Sequence, residues 1–141
     1  LRMLKFKGYK CNIHPHPGYD LHDAHTNRYL KEMAVEISKS KIVLTCSSYF
    51  RYRLGKYVEI PMCGTALCGD VPKDGADDYN YVINIENMSN NEIMETIIEY
   101  LENSEKLNEK IEAGLDFTSN YTYEHYAERL LNEINVFLEN K

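Results

Sequence analysis

A chain of 141 residues, 43% of them hydrophobic, can bury one core, so disorder is set aside and a single domain is expected. A formal charge of −6 without a basic run removes the electrostatic case for nucleic acid. No apolar stretch nears the roughly 20 residues of a membrane-spanning helix, and no secretory signal opens the sequence. Cys11, Cys46, Cys63 and Cys68 lack the two-residue gap of zinc sites and read as reduced thiols of a cytoplasmic protein. The first residue is Leu1 rather than Met, as expected of a piece of a longer protein.

Taken in chain order, Tyr9 to His14 predicts a short strand running into the loop His14-Pro15-His16-Pro17-Gly18, which cannot be helical. Leu30, Met33, Ala34 and Ile37 recur at helical spacing between Thr26 and Lys39. Ile42 to Cys46 is a continuous apolar run, the pattern of a strand covered on both faces. A helical turn around Arg53 to Cys63 follows. Pro61 would interrupt it, since proline lacks the amide that bonds to the Tyr57 carbonyl. Gly64 suits the helix end. Thr65 to Gly69 and Tyr81 to Ile85 predict two further strands, separated by a turn-rich segment from Pro72 to Asp78.

The last third is helical. Ser89 and Glu92 form a capping-box pattern ahead of the stripe Ile93, Met94, Ile97, Ile98 and Leu101. Leu107, Ile111 and Leu115 mark a second helix. A third begins near Thr122, with Ala127, Leu130, Leu131, Ile134, Phe137 and Leu138 expected to face inward. Strands alternating with helices predict an α/β fold with a mostly parallel sheet, which binds ligands at the carboxyl ends of its strands.

The segment from Ser47 to Glu59 follows such a strand end. Arg51, Arg53 and Lys56 gather where a helix begins, and a helix start with added cations suits a phosphate or diphosphate. Ser47 and Ser48 could donate to phosphate oxygens as well as cap the helix. Glu59 could accept both vicinal hydroxyls of a ribose. The same spacing also fits a solvated helix face with a Lys56–Glu59 ion pair. His14 and His16 fit a loop near a bound sugar, a metal site with His22 and His25, or a polar loop ordered by its prolines. Asp70, Asp74, Asp77 and Asp78 read as solvated turn residues rather than a cation site. Most of the twelve tyrosines read as half-buried.

Val58-Glu59-Ile60-Pro61-Met62-Cys63-Gly64-Thr65 resembles the "LEAMACGTP" signature of retaining glycosyltransferases of the GT-B type, and Lys56-Tyr57-Val58-Glu59-Ile60 is similar to the spore-maturation-type subgroup. Tyr121-Thr122-Tyr123-Glu124-His125-Tyr126-Ala127 is similar to the helix that closes their second domain. The likeness covers about Lys10 to Lys141. It implies that residues 1–141 are one Rossmann-like three-layer domain, half of a GT-B fold, which binds a nucleoside diphosphate sugar for transfer to an acceptor.

In that reading Glu59 holds the ribose, Lys56 and Arg53 the diphosphate with Arg51 beside them, and His16 lies near the sugar. No metal or other cofactor is expected, and the acceptor-binding N-terminal domain lies outside this chain. A catalytic residue is not assigned. Many relatives carry a glutamate eight residues before the ribose glutamate. That place is Arg51 here, and Tyr49-Phe50-Arg51-Tyr52-Arg53 replaces their "EGFG" loop. This departure keeps open a catalytically inactive binding module or scaffold. A receiver-type regulatory domain would need an acidic phosphoacceptor at a first strand end, and Cys46-Ser47 stands there instead.

Overall fold

The computed structural model describes residues 2–14, 23–74 and 79–139, with side chains in the second helix described from Arg28 onward. The elements are α1 (Arg2–Phe6), α2 (Asp23–Ser38), β1 (Ile42–Leu44), α3 (Lys56–Met62), β2 (Ala66–Gly69), β3 (Ile83–Asn84), α4 (Asn90–Glu102), α5 (Ser104–Ser119) and α6 (Tyr123–Glu139). The strands form one parallel sheet in the order β1-β2-β3. Ile42 pairs with Ala66 and Leu44 with Cys68, and Cys68 also pairs with Ile83. The expected mixed α/β fold with a parallel sheet is what the chain forms, in keeping with a Rossmann-like half-domain.

Strand β2 sits in the middle and is buried along its whole length. Its alternating side chains divide the core into two. Leu67 joins Ile37, Tyr57, Ile60, Tyr79, Tyr81 and Val82 on one face. Ala66 and Cys68 join Leu4, Ile83, Ile97 and Leu107 on the other. Helix α5 serves both cores, giving Leu107 and Ile111 to one and Ala113 and Phe117 to the other. All four cysteines are free thiols, and burial pushes the Cys68 thiol up to about 12, which leaves it protonated and inert.

Helix α3 runs through Pro61 rather than stopping at it. The reason is a replacement donor. Proline leaves the Tyr57 carbonyl without its helical amide, and the buried Tyr81 hydroxyl donates to that carbonyl at 2.9 Å. The ring of Pro61 then packs where only glycine fits. A Cβ on Gly114 of α5 would lie 2.7 Å from Pro61 Cβ. Gly64, at φ +69°, ends the helix as the sequence indicates, its amide bonding to the Pro61 carbonyl at 2.9 Å. The capping box of Ser89 and Glu92 is present at the start of α4.

Three expectations are corrected. Tyr9 to His14 forms no strand. Tyr9 and Cys11 pack on the Leu4–Ile97 core, Ile13 is 72% exposed, and Arg2–Phe6 before them is a helix. Helix α6 is amphipathic, but it buries none of its described residues, and Leu130, Leu131 and Ile134 stand exposed. Its pattern shows which side seeks cover, and none of the described elements supplies it. Finally, Tyr57, Tyr79 and Tyr81 are buried rather than half-buried, and they meet edge-on or tilted with ring centroids 6.1–6.2 Å apart.

Replacing Tyr81 by Phe keeps the ring and removes the hydroxyl, leaving a buried carbonyl unpaired. Denaturant unfolding of Tyr81→Phe is expected to show a loss of about 1–3 kcal/mol. An unchanged midpoint would mean that α3 tolerates Pro61 without this bond.

Candidate functional site at the carboxyl edge of the sheet

The three strands stop side by side, and the residues just beyond them are polar: Ser47 after β1, Asp70 after β2 and Glu86 after β3. Gly69 permits the close approach of the first two. A Cβ there would lie 2.5 Å from the Thr45 carbonyl oxygen. Asp70 accepts a hydrogen bond from the Ser47 amide at 2.8 Å and another from the Ser47 hydroxyl. The Tyr57 hydroxyl lies 2.7 Å from the Asp70 carbonyl and 3.2 Å from its carboxylate. Burial pushes the Asp70 carboxyl up, but the Ser47 and Tyr57 hydrogen bonds outweigh it and leave its pKa below the usual value. Burial, with the Asp70 charge beside it, drives the Tyr57 phenol upward, so it stays a neutral donor.

Arg51 adopts φ +63°, a backbone conformation unusual for a residue with a side chain. Its guanidinium turns inward. One terminal nitrogen donates to the Val71 carbonyl at 2.8 Å and lies 2.7 Å from Glu86; the other lies 3.4 Å from Asp70. Lys73 stands 3.5 Å from Glu86, and its amide bonds to the Arg51 carbonyl at 2.8 Å. Two cations thus face two carboxylates in a charge-balanced cluster. The Arg51 side chain is 31% exposed and that of Glu86 is 19% exposed. The bond from Arg51 holds the Glu86 carboxyl below its ordinary pKa.

The loop between Ser47 and Arg53 is tightly closed. The Ser48 amide bonds to the Tyr52 carbonyl at 3.1 Å, the Arg51 amide to the Ser48 carbonyl at 2.8 Å, and the Tyr52 amide to the Ser48 hydroxyl at 2.9 Å. Neither serine caps α3, whose N-cap Gly55 has no side-chain hydrogen bond. The Arg53 amide bonds to Asp74 at 3.2 Å. Its guanidinium donates to the Tyr121 hydroxyl at 2.6 Å and lies 5.0 Å from that ring and 5.7 Å from the Phe117 ring. Arg53 therefore ties the loop to the end of α5.

Lys56 and Glu59 are both exposed in the first turn of α3. The Glu59 carboxylate folds back toward the start of that helix, where a Cβ on Gly55 would be 3.0 Å from it. Among the described residues no ion pair joins Lys56 and Glu59. His16 and His22 lie outside the described residues, as do Asp77, Asp78 and the side chain of His25. His14 sits against Tyr29, with ring centroids 5.0 Å apart. Among the described residues no group of three His, Cys, Asp or Glu side chains is placed to hold a metal ion. Asp70 is not the solvated turn residue that composition suggests.

A cavity of about 470 Å³ opens between α5 and α6, lined by Asp116, Phe117, Asn120, Tyr121, His125, Glu128, Arg129 and Asn132. None of the residues expected from the sequence to bind a donor lines it. The one signal that touched it is the Tyr121 to Ala127 pattern, which marked a helix and not a cavity.

A family model described as glycosyl transferase-like matches residues 1–132. The chain belongs to the glycosyl transferase-like family. No curated protein and no solved structure shows significant similarity to it. Membership implies glycosyl transfer in general and a sugar donor or acceptor as partner. No helix among the described residues of this family member is long and apolar enough to cross a membrane.

The Asp70 and Glu86 carboxyls both titrate below their ordinary values in the fold. They add stability above the unfolded-state carboxylate range that is lost as pH falls through their folded values. Unfolding of the wild type is expected to become easier below about pH 4. Glu86→Gln should be less stable at neutral pH and show a flatter acid limb. Equal acid sensitivity in the two proteins would mean that Glu86 is not held by Arg51.

Proposed function

We propose that the chain is the donor-binding half of a glycosyltransferase and holds a nucleoside diphosphate sugar at the carboxyl edge of its sheet. The observation that carries the reading is the family match across residues 1–132. Lys56 and Glu59 support it, since both are exposed on the short helix beside the strand ends. In this reading Lys56 faces the diphosphate and Glu59 accepts hydrogen bonds from the ribose hydroxyls, while Arg53, whose guanidinium is held on Tyr121 and Phe117, serves by tying the loop to α5. Ser48 stands at the loop start. Arg51 and Ser47, whose polar atoms are engaged with Asp70 and Glu86, serve by holding the loop.

The reaction joins an acceptor hydroxyl oxygen to the anomeric carbon as the bond to the diphosphate breaks. The electron pair leaves with the diphosphate, and the acceptor's proton goes to a base on the companion domain. Fixed cations lower the barrier by meeting the charge that grows on the leaving group. No metal or cofactor enters the scheme. The exposed apolar side of α6 favours a companion acceptor-binding domain packed there. We place the protein in the cytoplasm, where nucleotide sugars are made.

One feature favours a second reading, a binding module without turnover. Arg51 stands where many relatives keep a sugar-contacting glutamate, and its charge is spent on Asp70 and Glu86.

Thermal unfolding with UDP, GDP and ADP separates these ideas from an empty site. At a hundredfold excess over Kd a ligand adds about 2.7 kcal/mol. One of the diphosphates is expected to raise the midpoint of the wild type, with most of the rise lost in Glu59→Ala and Lys56→Ala. Since both side chains are exposed, the unliganded midpoints should not change. No rise with any of the three at millimolar concentration would contradict the proposal.

A further inference from the structure

The loop that replaces the family's glycine-rich segment displays three aromatic rings to solvent. Tyr49 is 93% exposed, Phe50 73% and Tyr52 61%. They form one patch. Tyr49 and Phe50 meet edge-to-face with centroids 5.3 Å apart, and Phe50 and Tyr52 lie 6.3 Å apart. Exposing this much aromatic surface costs solvation, and the loop is built to keep it exposed. Its turn is closed by Ser48, and Arg51 holds a left-handed backbone while its side chain is anchored on Asp70 and Glu86.

We propose that Tyr49, Phe50 and Tyr52 are a stacking platform for a neutral saccharide, this chain's share of an acceptor site that the companion domain completes. Naming that saccharide an acceptor rests on the transferase reading above; the stacking itself does not. Three observations select the ligand. First, the patch carries no charge, because Arg51, the cation between the rings, points inward to two carboxylates. A neutral ligand with apolar C–H faces and a hydroxyl rim matches ring faces bordered by two phenols. Second, Tyr49 and Phe50 stand at 86° to each other and Phe50 and Tyr52 at 35° with centroids 6.3 Å apart, so neither pair offers parallel faces spaced to clasp a flat nucleobase. Third, the rings rise from the loop that joins β1 to α3, four residues before Lys56 in the case of Tyr52. A saccharide there would lie beside the proposed donor.

The experiment follows the aromatic side-chain NMR signals of the nucleotide-free protein during titration with methyl glucoside, methyl galactoside and methyl mannoside. A parallel arm adds UDP, and another adds phosphatidylglycerol vesicles. The platform is expected to show saturable shifts of the Tyr49, Phe50 and Tyr52 rings with at least one glycoside. Phe50→Ala should weaken that binding about five- to tenfold. Its melting temperature, and any UDP-induced rise in it, should stay unchanged, because Phe50 is exposed.

Rings unmoved by all three glycosides at saturating concentration would overturn the proposal. So would rings that respond only to UDP, which would give them to the donor base, or only to vesicles, which would make them a membrane contact. Failure of every nucleotide to bind, with glycoside shifts intact, would sink the donor reading and leave the platform standing.

Discussion

Asp70 is the point on which the carboxyl edge of this sheet converges. It stands directly after β2, accepts from the Ser47 amide beyond β1 and from the Tyr57 hydroxyl of α3, and pairs at 3.4 Å with the Arg51 guanidinium of the loop between them. Arg51 carries the linkage on to Glu86 beyond β3. A partly buried carboxylate is costly unless its lone pairs are filled, and here filling them draws three strand ends and one helix together. The two carboxylates and two cations balance, so the cluster can sit partly shielded from water without stranding a charge. Because Arg51 is consumed in this way, the loop it belongs to can display rings instead of charge.

The same economy of partners appears at α3. Pro61 removes an amide, Tyr81 replaces the bond it would have made, and Gly114 leaves room for the proline ring. The helix bearing Lys56 and Glu59 is therefore fixed from below by β2, α5 and a buried tyrosine. A short helix of seven residues has little stability of its own, and tertiary packing supplies what propensity cannot.

How much of this could be read from the sequence depended on the range of the physics involved. The strand within the Ile42 to Cys46 run, the glycine end of α3 and the Ser89–Glu92 cap are set by neighbours within a few residues, and each was legible, although β1 is an edge strand with Leu44 exposed rather than one covered on both faces. The role of Asp70 was not, because its partners lie 13 and 23 residues away and nothing local marks them. Tyr9 to His14 looked like a strand because a short, partly apolar segment ahead of prolines reports burial, which Tyr9 and Cys11 have without pairing to any described strand. The apolar stripe of α6 was read correctly as a stripe, but no sequence pattern says which body covers it. The Arg53 contact with Tyr121 joins positions 68 apart, and so the tie between loop and α5 was out of reach as well.

Amide hydrogen exchange across residues 47–53 in the wild type and in Asp70→Ala tests the central claim most directly. If Asp70 organises the edge, the Ser47, Arg51 and Tyr52 amides exchange slowly in the wild type and at least tenfold faster in the variant, while α4 and α5 amides keep their protection. Fast exchange at these three amides in the wild type, or equal rates in both proteins, would show that the loop is not held by this carboxylate.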